Sequence, residues 1–193
     1  MSLMKKGIFV LALILAAGMT SSAQQQATAP DAKAADGHGI EWKEWEEAAN
    51  ANEADPRKIL VDVYTDWCGW CKVMDRKTFS DPDIVSYINE NFHAIKLDAE
   101  SKETINWQGY EFKWMEGGRN GVHALAYSLL NKQMSFPQFV LLDEEFKRIR
   151  IVKGFKDAKA FMPELEYAAS EEYKSSATEK ESTTKEAKPG RSE

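Results

Sequence analysis

The run Ile59-Leu60-Val61-Asp62-Val63-Tyr64-Thr65 stops just before a cysteine, and that junction constrains the chain more than any other feature. A nearly continuous, β-branched apolar run is what a strand buried on both faces requires. The motif Trp67-Cys68-Gly69-Trp70-Cys71 follows at once, and Lys72 to Lys77 reads as a helix continuing from it. Cys68 is therefore expected where a buried strand gives way to a helix N-terminus. Asp62 stands out as a single carboxylate inside that apolar strand. Burial raises the pKa of such a group, which suits a proton carrier for a cysteine; at a sheet edge it would simply meet water.

The flanking segments supply the layers that such a strand needs. Trp42, Trp45, Ala48 and Ala49 recur at helical spacing, and Asp55-Pro56 breaks that helix. Ser80-Asp81-Pro82-Asp83 marks a second helix start, with Ser80 as the cap and Pro82 in the first turn. Ile84, Val85, Ile88 and Phe92 line one face of it, and His93 to Asp98 reads as the next strand. Ile105-Asn106-Trp107 and Tyr110 to Trp114 fit a hairpin across Gln108-Gly109, followed by a flexible loop over residues 116–121. Val122, Leu125, Ala126, Leu129 and Leu130 give another helix. Phe139 to Leu142 and Arg148 to Val152 are two strands close enough for an antiparallel connection, and Phe161, Leu165 and Ala168 mark a last helix. The order predicts an α/β sandwich with a mixed sheet flanked by helices.

The chain has only two cysteines among 193 residues, separated by two positions. Such a pair is a structural bridge, half of a metal site, or a redox couple. A bridge across two residues closes so small a loop that it removes little entropy from the unfolded chain. A zinc site needs two more ligands, and His38, His93 and His123 form no ligand-like pair, so no metal is expected. The redox couple is favoured, with no cofactor beyond the Cys68–Cys71 disulfide itself. At a helix N-terminus the unpaired N–H groups and the dipole stabilise a thiolate, which makes Cys68 the attacking sulfur. Cys71, one turn deeper, would attack the mixed disulfide and release the product. Gly69 would let a substrate backbone approach, and Trp70 would shape the surface between the sulfurs.

Both ends differ from this core. Lys5 and Lys6, the apolar Gly7 to Ala17 and the small residues Ser21-Ser22-Ala23 form a secretory signal pattern over residues 1–23. The apolar run is too short to span a bilayer, which takes about 18 or more residues. Residues 24–39 read as a flexible linker and 170–193 as a disordered tail, because neither carries enough apolar surface to offset ordering. The domain is thus expected over 40–169. Removing residues 1–23 takes two lysines and no acid, shifting the net charge from −6 to −8. That balance argues against nucleic acid or an anionic membrane surface as a partner.

At the stretch Ile59 to Lys72 the sequence resembles the active-site segment of thioredoxins. Its continuation through Thr78-Phe79-Ser80-Asp81-Pro82 to Ile95-Lys96-Leu97-Asp98 is similar to one subgroup, the thioredoxin-related proteins of bacterial envelopes. That subgroup includes the C-terminal domain of the membrane thiol:disulfide interchange reductase. The resemblance implies a thioredoxin-like fold over about 40–169, with an insertion at about 99–121. It implies a cis peptide before Pro137, facing the cysteines; an ordinary trans proline opening a strand is the other reading. It further implies that Trp67, Phe136 and Pro137 join Gly69 and Trp70 in contacting substrate, and that Asp62 is the family's buried acid. Lys96 would pair with that acid, unless a one-residue offset in register turns it away.

These features predict an exported, periplasmic protein disulfide oxidoreductase, working on protein thiols and disulfides as a monomer. A reductase or isomerase kept reduced by a membrane thiol:disulfide donor is the leading form, and a disulfide-introducing oxidase the nearest rival. Trp70 replaces the proline usual between such cysteines. Because potentials across this fold span about −270 to −120 mV, residue identities alone leave the direction open. A non-catalytic binding module is the contrasting class. Its feature would be the aromatic insertion Trp107, Tyr110, Phe112 and Trp114, although such rings more often cover a core.

Overall fold

A computed structural model describes residues 39–174. Its centre is the strand β2 (Lys58–Tyr64), in which the alternation of side chains sends Ile59, Val61 and Val63 to one face and Leu60 and Asp62 to the other. β2 lies between β3 (Phe92–Asp98), parallel to it, and β8 (Gln138–Leu142), antiparallel. β1 (Trp42–Lys43) adds to the far side of β3 and β9 (Arg148–Lys153) to the far side of β8, giving the order β1-β3-β2-β8-β9.

Helices cover both faces, so Ile59 to Val63 of β2 are buried and Tyr64 partly so. On one face Trp45 and Ala48 of α1 (Trp45–Ala54) and Leu125 and Ala126 of α4 (Ala124–Leu129) pack on Ile59, Val61, Ile95 and Val140. On the other, Met74 of α2 (Gly69–Lys77), Ile84 and Ile88 of α3 (Pro82–Asn91) and Phe161 and Leu165 of α5 (Ala158–Ala169) meet Leu60, Phe139 and Leu141. Among the described residues no helix is long and apolar enough to cross a membrane.

Several local expectations are corrected. Trp42 belongs to β1, paired with Ala94, and the first helix starts only at Trp45. Asp81, not Ser80, caps α3: its Oδ1 accepts from the N–H groups of Asp83 and Ile84 at 3.1 and 3.3 Å. Ser80 turns back and donates to the Arg76 carbonyl. Phe92 leaves the face of α3 and opens β3. The hairpin of β4 (Ile105–Trp107) and β5 (Tyr110–Phe112) forms as expected, with Gln108 and Gly109 at φ 50° and 79° in the left-handed turn that matches strand twist. Its strand stops at Phe112, however, and Trp114 starts a second ribbon, β6 (Trp114–Met115) with β7 (Val122–His123). The 116–121 loop between them is closed by a hydrogen bond from Gly121 N–H to the Gly117 carbonyl. Trp107 and Phe112 pack against the core, whereas Tyr110 is exposed.

The folded part also runs past 169. Lys58, buried at the start of β2, donates from Nζ to Glu144 Oε1 at 2.7 Å, to the Tyr173 hydroxyl at 3.1 Å and to Glu171. Residues 171–174 therefore fold back on the sheet, drawn by a buried ammonium that needs acceptors. The signal segment 1–23, most of the linker and residues 175–193 lie outside the described residues.

Candidate active site

Cys68 ends the turn that follows β2, its N–H donating to the Thr65 carbonyl at 3.0 Å. It is the N-cap of α2 and is disulfide-bonded to Cys71, with the two Cα atoms 5.3 Å apart. The Cys71 N–H donates to Cys68 Sγ at 3.1 Å, so the first turn of the helix aims a backbone donor at the sulfur of its own cap. That is the arrangement that favours a thiolate when the disulfide is reduced. Both cysteines are nearly buried, whereas Trp67 and Trp70 beside them are 61% and 60% exposed. A side chain at Gly69 would meet nothing within 4 Å, leaving open space next to the sulfurs.

The register of β8 brings the second half of the site to the same end of the sheet. Gln138 is opposite Val63, so Pro137 falls beside the segment running from Tyr64 to Cys68. The Phe136–Pro137 peptide is cis. Phe136 packs edge-on against Trp67, with ring centroids 5.8 Å apart, which joins the proline loop to the cysteine motif. Buried Gln138 fixes that loop from behind, donating from Nε2 to the carbonyls of Gln133 and Ser135 at 2.7 and 2.6 Å. No sequence pattern singles out this glutamine.

Asp62 is 2% exposed, because β2 is central rather than an edge. It lies on the face covered by α2, the helix that carries Cys71. Its cross-strand partner is Lys96 itself, so the feared register offset does not occur. Lys96 Nζ stands 3.4 Å from Asp62 Oδ2 but 2.6 Å from Asp75 Oδ1 on α2, and stacks between the rings of Trp42 and Tyr64. Asp62 Oδ1 has no hydrogen-bond partner. Burial pushes the Asp62 carboxyl up to about 7; the Lys96 ammonium opposes that rise and the Asp75 carboxylate adds to it.

His93 and His123 turn their ring nitrogens to backbone groups: His93 Nε2 to the Asp55 carbonyl, and His123 Nε2 to that of Glu103. His123 Nδ1 accepts from the Leu125 N–H and caps α4. Among the described residues no three His, Cys, Asp or Glu side chains cluster as metal ligands. His38 lies outside the described residues.

Two further residues at the site carry no sequence signal. Glu100 accepts from Trp67 Nε1 at 2.9 Å and from Asn120 Nδ2. Such links span 20 to 33 residues and follow no local period.

The family model Thioredox_DsbH, described as "Protein of unknown function, DUF255", matches residues 23–155. "Uncharacterized protein B0495.5" of Caenorhabditis elegans is 30% identical over 83 residues, 42% of this chain and 11% of that protein. The thiol:disulfide interchange protein DsbD of Pectobacterium atrosepticum is 26% identical over 113 residues, 58% of this chain and 16% of its own length. The match thus spans only 11% to 16% of these two relatives. A solved structure described as "DsbH Oxidoreductase" superposes with a TM-score of 0.50 and 20% identity, over 78% of this chain and 95% of that one. That likeness shows the thioredoxin-like fold.

Proposed function

The chain belongs to the Thioredox_DsbH family, and from that premise we propose that it is an exported thiol:disulfide oxidoreductase acting through Cys68 and Cys71. The observation that carries the reading is the Cys71 N–H aimed at Cys68 Sγ from the first turn of α2. In the reduced protein that donor stabilises a Cys68 thiolate. The thiolate attacks one sulfur of a substrate disulfide; that S–S bond breaks, and the other substrate sulfur leaves as a thiolate and takes a proton from water. Cys71 then gives its proton to Asp62 and attacks Cys68 Sγ. The mixed disulfide breaks, and the second substrate sulfur leaves as a thiolate and takes a proton from water. Asp62 returns the Cys71 proton to solvent, and two electrons have passed from the protein to the substrate. The product is the Cys68–Cys71 disulfide, the form present in this structure.

The substrate chain would lie along the cis peptide at Pro137, between the exposed Trp67 and Trp70. The physiological direction is reduction or isomerisation of protein disulfides, with electrons from a membrane thiol:disulfide donor. Export rests on the signal pattern of residues 1–23. The test is insulin reduction by dithiothreitol, comparing wild type with Cys68→Ser. Wild type accelerates it and the variant does not; equal rates refute the enzyme. A reduction potential near −120 mV, that of a strong oxidant, would refute the reductase direction.

A further inference from the structure

Trp67 is largely exposed, yet it is held on two sides. Its ring rests against Phe136 and its Nε1 donates to Glu100. The same carboxylate accepts from Asn120 Nδ2 at both of its oxygens, 3.1 Å each. Asn120 sits in the 116–121 loop, and its carbonyl accepts from Trp114 Nε1 at 3.2 Å. Glu100, two residues beyond β3, therefore ties the cysteine motif to the insertion. Hydrogen bonds to an ionised acceptor are the stronger kind, so this carboxylate joins the two segments directly.

What they enclose is a groove of about 590 Å³, within the size range of ligand clefts. Trp67, Met115, Val122, Met134 and Phe136 make its walls mainly apolar. Trp67 and Phe136 immediately precede Cys68 and Pro137 in the chain, so the groove adjoins the thiol site. Two methionines give it adaptable surface, which suits varied side chains better than one fixed small molecule.

We propose that Glu100 is a positioning residue that builds this groove, and that the groove receives apolar side chains flanking the target cysteine of an extended polypeptide. Glu100 is then a determinant of preference for protein over small polar disulfides. The inference rests on the exchange chemistry proposed above. Without the carboxylate, Trp67 and the loop separate, and a polypeptide loses its contact surface. A small polar disulfide, which reaches Cys68 without filling the groove, loses less.

The test uses pre-reduced full-length protein, mixed rapidly with insulin or with bis(2-hydroxyethyl) disulfide. In parallel, the Trp67 indole N–H resonance is followed, assigned by its loss in Trp67→Phe. Glu100→Ala is expected to move that resonance and to lower the rate constant for insulin roughly fivefold more than that for the small disulfide. Glu100→Gln keeps an acceptor while removing the charge, and restores both readouts. An unmoved resonance in Glu100→Ala overturns the positioning role. Equal slowing of the two disulfides, or failure of Glu100→Gln to restore the ratio, overturns the groove as the cause. If wild type reacts with neither disulfide, the exchange reading falls and the substrate preference with it, while the resonance still reports whether Glu100 holds Trp67.

Discussion

Replacing Asp62 by Asn should change how stability depends on pH, and the size of the change follows from where the carboxyl sits. Asp62 is buried on a central strand, one oxygen has no hydrogen-bond partner, and the nearest ammonium is drawn toward Asp75. Its carboxyl titrates near 7, against 3.8 for an ordinary aspartate. Between those values the folded protein binds a proton that the unfolded chain has already released. Unfolding free energy therefore falls as pH rises through this window, and levels off above it. At about 1.4 kcal/mol per pH unit, the wild type loses about 4 kcal/mol that Asp62→Asn does not. Groups that do not interact with Asp62 titrate alike in both proteins and cancel in the difference. Urea unfolding of the oxidised proteins from about pH 4 to about pH 8 measures it directly. Asp62→Asn should be the relatively more stable protein at the alkaline end. Parallel stability curves would refute the claim that burial raises the pKa of this carboxyl.

Two other perturbations test the insertion. Gly121 has φ +76°, and a Cβ there would sit 2.2 Å from Trp114 Cζ2, so Gly121→Ala should cost about 1–3 kcal/mol in urea unfolding. Burial holds the His123 imidazole below its ordinary 6.5, and the neutral ring caps α4 through Nδ1. Its stabilising contribution is complete above pH 6.5 and lost as pH falls through the lowered folded value. The stability gap between wild type and His123→Asn should accordingly shrink from about pH 7 to about pH 5.

The parts of the fold legible in the sequence are those set by local patterns. The β2–α2 junction follows from an apolar run meeting a helix start, and the β4–β5 hairpin from Gln108-Gly109 between strand formers. Whether Lys96 faces Asp62 depended instead on strand register, which a single residue of slip reverses. β1 is too short to show a period, and only pairing with β3 makes it a strand. The α3 cap moved by one position because Asp81, directly before Pro82, offers its carboxylate to two N–H groups at once. Glu100, Asn120 and Gln138 act through contacts across loops, where residue type says little. The cysteine motif marks the centre of the site, while the walls around it come from tertiary structure.

The clasp around Lys58 also fixes a direction. β2 runs from Lys58 toward the cysteines, and at about 3.3 Å per residue its two ends are roughly 20 Å apart. Tyr173 is hydrogen-bonded at the Lys58 end. Residues 171–174, the last described, therefore lie at the pole opposite the sulfurs. The cysteines and the Lys58–Tyr173 contact are separated by the length of one strand.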